Sequence, residues 1–115
     1  MTNFMHQRDL DGCPNYVRAW CRKAEVGTMQ RGYRDVGYLL APHVGEFRPL
    51  KATGVTWKHA VSRLQECCMS GNAQEVLCWC REAYPGLLKT IPRSQHGEFV
   101  AGIIEGVWED AACPC

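Results

Sequence analysis

Eight cysteines and four histidines among 115 residues are the side chains here that could hold a metal, carry a redox change or act as nucleophiles. A structural zinc site wants two cysteines separated by two residues, because that turn aims both thiolates at one ion with tetrahedral geometry. This chain has no such pair. A zinc site would have to draw on Cys67, Cys68, Cys78, Cys80, His96, Cys113 and Cys115. On a helix the adjacent Cys67 and Cys68 diverge by about 100°, and Cys78 and Cys80 point about 200° apart. Cys113-Pro114-Cys115 is geometrically free to chelate but supplies two ligands of four. No metal and no cofactor is therefore expected.

Five cysteines, Cys13, Cys21, Cys67, Cys68 and Cys80, fall on the apolar faces of expected helices and read as core packing. Cys78 differs, since it shares a polar face with Gln74, Arg81 and Glu82 and could sense oxidants. A nucleophile needs a base within reach and a group to orient it. His6 lies near the N-terminus, His43 in a Pro/Gly turn, His59 on an outward face with Ser62 and Glu66, and His96 at a helix start, and none accompanies a nucleophile motif. The chain carries no G-x-S-x-G, no P-loop and no dinucleotide fingerprint. No catalytic residues are assigned, and the protein is read as not an enzyme.

The elements that would position these groups follow from apolar spacing. Cys13, Tyr16, Val17, Trp20, Cys21 and Ala24 recur at helical spacing from Pro14 to about Val26, with Gly27 as a left-handed stop. From Gly32 to Leu50 the helical period disappears. Tyr33, Val36, Tyr38, Leu39 and Leu40 precede Pro42 and Gly45, then Phe47 and Leu50, which suggests a short two-stranded ribbon. Pro42 and Pro49 would confine it to edge strands. Thr56 to Met69 and Asn72 to Tyr84 form a helical hairpin through Ser70-Gly71, with Asn72 and Glu75 at capping-box spacing. A last helix runs from about Ser94 to Ala112.

The expected fold is thus α+β and mostly helical, with about four helices and the ribbon between the first and second. Residues 1–12 are taken as a flexible tail, 13–112 as a single globular domain and 113–115 as a C-terminal tail. The polar start Met1–Asp11 lacks the apolar run of a signal peptide, and no stretch approaches the roughly 18 apolar residues needed to span a bilayer. A cytoplasmic, non-membrane protein with reduced thiols is expected.

Charge narrows the partners. Thirteen basic and twelve acidic residues give a net charge of +1, far from a phosphate-neutralising footprint. The halves differ: ten Lys/Arg against five Asp/Glu up to Arg63, and three against seven from Leu64 onward. The hairpin could pass for a DNA-binding helix-turn-helix, but its second helix presents Gln74, Glu75, Cys78, Arg81 and Glu82, with one positive charge.

In the last helix Phe99, Val100, Ile103, Ile104, Val107 and Trp108 cover one side, with Gly102 and Gly106 as a shoulder and Glu98, Glu105 and Glu109 as a ridge opposite. That arc is wider than one neighbouring helix covers. Trp20 and Trp57 read as core, and Trp79 and Trp108 as stripe-edge rings open to a partner. Phe99, Ile103, Ile104, Val107, Trp108 and Trp79 are the expected partner-binding set, and Gly102 and Gly106 the contact of a homodimer. The expectation is a small cysteine-rich regulatory adaptor or inhibitor that antagonises another protein, a transcriptional regulator being one target. The alternatives are a zinc-binding or thiol redox-sensing module and a nucleic-acid-associated protein.

Overall fold

Tyr33, Val36, Gly37 and Leu40 stand at i, i+3, i+4 and i+7, and all four are buried on one face of a helix. The computed structural model, which describes residues 15–46 and 54–112, contains α1 (Asn15–Glu25), α2 (Tyr33–Leu40), α3 (Gly54–Met69), α4 (Ala73–Ala83), α5 (Pro85–Thr90) and α6 (His96–Ala112). Two 3-10 segments cover Ala41–Glu46 and Arg93–Gln95. No strand occurs among the described residues, so the fold is all-helical and the expected α+β class with its ribbon is wrong. The stripe of α2 escapes an apolar count because glycine holds one of its four positions. Pro42 lies in the 3-10 segment that follows α2, not between strands. Cys13, Pro49, Leu50, Phe47 and Cys113–Cys115, and both expected tails, lie outside the described residues.

The position at Gly37 is glycine because α2 and α6 touch backbone to backbone. A Cβ there would overlap the Phe99 carbonyl oxygen, and one on Gly102 would overlap the Arg34 carbonyl oxygen. On Gly106 it would meet Ala41 Cβ at 2.6 Å and the Tyr38 carbonyl oxygen at 3.0 Å. Arg34 thus sits over Gly102 and Tyr38 over Gly106, one turn further on in each helix, so the two helices run in the same direction across the contact. Gly37 on α2 and Gly102 and Gly106 on α6 are the small residues that let the backbones approach, and Ala41 packs against Gly106. Interior helical glycines cost roughly 0.5–1 kcal/mol each. The dispersion gained by close backbone packing offsets that cost.

Polar groups flank the same contact. Arg31 pairs with Glu105 at 2.8 Å and with Asp35 at 2.8 Å, Arg34 approaches Glu98 at 3.3 Å, and the Tyr38 hydroxyl donates to Glu109 at 2.7 Å. The glutamates of α6 therefore edge the α2 seat. Exposed ion pairs of this kind contribute about 0–1 kcal/mol each, so they fix register more than they hold the helices together. They also use the charge asymmetry of the chain: arginines of the basic half meet carboxylates of the acidic half, as Arg63 meets Glu82 at 3.2 Å.

The remaining helices close over the other side of α6. α3 is stopped just beyond Met69 by Gly71, whose φ is 71°. Gly71 N–H donates to the Cys68 carbonyl and Asn72 N–H to that of Cys67, both at 3.0 Å, the paired bonds of a left-handed helix stop. Asn72 then accepts from the Glu75 N–H at 3.2 Å and starts α4. Trp57, Trp79 and Tyr84 stack between α3 and α4 with ring centroids 5.5 to 6.1 Å apart. Between the hairpin and the last helix, where the sequence predicts no element, lies α5, opened by Pro85 and anchored by buried Leu87, Leu88 and Ile91.

Candidate functional site

The expected partner-binding residues divide by burial. Phe99, Ile103 and Trp79 are at most 2% exposed, and Ile104 is buried as well. Trp79 is an inner ring of the α3–α4 stack and donates its indole N–H to the Ala60 carbonyl at 2.8 Å. Val107 is half-buried, and Trp108 is 48% exposed. The arc on α6 is wide because α2, α3 and α4 all pack on it. Gly102 and Gly106 are covered by α2 of the same chain, which occupies the notch assigned to a second copy.

Trp108 survives as an outward-facing group, and its setting is specific. Its indole N–H donates to the Cys68 carbonyl at 2.6 Å, adding a side-chain donor to the end of α3. The ring lies over the turn, 3.6 Å from where a Cβ on Gly71 would stand. Met69, one residue from the accepting carbonyl, is 56% exposed. The polar atom of Trp108 is satisfied within the chain, while much of the ring stays open. Sequence reasoning missed Met69, whose place at the end of an apolar stripe leaves the face it takes undecided.

The thiols fall into two groups. Burial pushes the Cys21 thiol up to about 11 and those of Cys68 and Cys80 up to about 12, so all three are neutral at ordinary pH. Cys67 lines a shallow cavity of about 270 Å³ with Arg63, Glu75, Cys78, Trp79 and Glu82. Burial raises its pKa, and so does its hydrogen bond to the Glu75 carboxylate at 3.2 Å. A reactive cysteine needs the opposite surroundings, which favour the thiolate. Cys78 is exposed. Among the described residues no three His, Cys, Asp or Glu side chains come together to hold a metal ion.

A second concave surface lies at the other end of α6. A groove of about 460 Å³ is lined by Arg81, Pro85, Leu88, Lys89, Ile91, Pro92, Arg93 and His96. His96 turns Nε2 to the Leu88 and Ile91 carbonyls, at 3.1 and 2.9 Å, so that nitrogen carries a proton and ties α6 to the end of α5. No acidic residue lines the groove. No helix among the described residues is long and apolar enough to cross a membrane. No protein-family model matches the chain, and neither a curated protein nor a solved structure matches it.

Proposed function

We propose that this chain is a small non-enzymatic helical domain that binds another protein and modulates it, with Trp108 and Met69 as the contact. The observation that carries the reading is a tryptophan half open to solvent whose indole N–H is already committed to the Cys68 carbonyl. A partner gains ring area there without stripping a hydrogen bond, and the pinned ring has little rotamer freedom left to lose. Exposed rigid aromatics with apolar neighbours are the usual anchors of protein interfaces. Cytosolic placement and antagonism of a regulator belong to the same proposal.

The test is affinity capture from source-cell extract with the wild-type chain, Met69→Ala and Trp108→Phe in parallel, each checked by circular dichroism. A partner bound by the wild type should lose about 2 kcal/mol or more of affinity on truncation of an anchor. Met69→Ala keeps the indole bond and Trp108→Phe keeps an aromatic ring, so neither removes the whole face at once. A partner that binds both folded variants as tightly as the wild type contradicts the proposal.

A further inference from the structure

From Leu64 to the C-terminus the chain has three basic residues, Arg81, Lys89 and Arg93, against seven acidic ones. All three line the groove between the end of α4, α5, the Arg93–Gln95 turn and the start of α6, and none of the seven does. No ion pair is made by any of the three among the described residues. Glu82, next to Arg81, turns away to Arg63. The rest of the lining is His96 with Leu88, Ile91, Pro85 and Pro92, an apolar floor in which Leu88 and Ile91 are themselves buried.

We propose that this groove binds an amphipathic organic anion, an oxyanion head carried on an aliphatic body. Arg81, Lys89 and Arg93 would meet the head, since guanidinium and ammonium groups form charge-assisted hydrogen bonds to carboxylate or phosphate oxygens. The body would lie over Leu88, Ile91 and the two prolines. A cavity of about 460 Å³ falls within the usual range for small ligands, and an apolar lining with a few convergent polar groups is their common form. His96 is tied to the Leu88 and Ile91 carbonyls, so it braces the floor. The site is independent of the Trp108 face: twelve helical steps, about 18 Å of rise, lead from His96 to Trp108.

The test is a titration of the ¹⁵N-labelled full chain with decanoate, decyl phosphate, inorganic phosphate and decanol, followed through amide shifts. Saturable shifts at Leu88, Lys89, Ile91, Arg93 and His96 are expected with one or both anionic amphiphiles, and whichever binds more tightly identifies the head. Decanol and inorganic phosphate, each carrying half of the ligand, should bind at least about tenfold more weakly, as the loss of charge-assisted bonds or of apolar burial implies. The double variant Lys89→Glu/Arg93→Glu, and independently Arg81→Gln/Arg93→Gln, should weaken the amphiphile by at least about tenfold while helicity is unchanged. The proposal is overturned if neither amphiphile saturates, if decanol or phosphate alone binds as well, or if the folded variants bind like the wild type.

Discussion

Gly97 and Gly102 stand five residues apart on one helix, yet the same added methyl group should act on them in opposite directions. Nothing lies within 4 Å of a Cβ on Gly97, so Gly97→Ala removes only unfolded-state freedom and should be neutral or stabilise by up to about 1 kcal/mol. A Cβ on Gly102 meets the Arg34 backbone, which yields only if α2 moves, and Gly102→Ala should cost about 2–3 kcal/mol. Urea unfolding monitored by circular dichroism separates the two. The thiols offer a second residue-scale check. Ellman's reagent should label Cys78 in the native state, whereas Cys21, Cys67, Cys68 and Cys80 should react only as the protein unfolds. Rapid native labelling of Cys68 or Cys80 would contradict their burial.

Among the elements, α2 and α6 depend on backbone packing more than on charge, and this sets what each class of substitution should do. Arg31→Ala removes the pairs to Asp35 and Glu105. It should lower the melting temperature only slightly, a loss that high salt hides, because both pairs are exposed. Trp79→Ala, by contrast, empties the stack between α3 and α4 and should cost about 3–5 kcal/mol. The same contrast explains what could be read from the sequence. α1, α3, α4 and α6 were legible because Val17, Trp57, Leu64, Val76, Phe99 and their neighbours are apolar, recur at helical spacing and are buried. α2 was not, since Gly37 contributes contact by lacking a side chain and so adds nothing to an apolar stripe. α5 was hidden in a six-residue span that begins with Pro85-Gly86, a pair that sequence alone reads as a turn. The arc on α6 was seen at its full width. What covers it is not legible there, because its main partner α2 lacks the unbroken apolar stripe that marks a helix.

For the whole molecule, opposite charge and buried thiols define a stability window. Hydrogen bonds from Arg31 hold Asp35 and Glu105 below the usual carboxylate range. Their contribution is present above the unfolded carboxylate pKa and is lost as pH falls through the lower folded values. Burial holds Cys21, Cys68 and Cys80 above the ordinary thiol value of 9.0. Their contribution is complete below that value and is lost as pH rises toward about 11 to 12. Melting temperature against pH should therefore show a plateau near neutrality that falls on both sides, and Cys68→Ala should flatten the alkaline limb. The groove cations were also visible in the sequence as the only Lys/Arg after Leu64, but α5 and the turn after it were needed to bring them to one cavity.

The central claim is that the apolar arc of α6 is closed by the chain's own α2, α3 and α4, and that only its Trp108 end faces out. Hydroxyl-radical footprinting of the isolated chain, normalised for intrinsic side-chain reactivity and read by mass spectrometry, tests it residue by residue. Trp108 and Met69 should be modified at rates near those of exposed side chains, with Phe99, Ile103 and Trp79 strongly protected. Modification of Phe99 and Ile103 at exposed rates in the folded chain would contradict the account, since it would place the arc on the surface and α2 elsewhere.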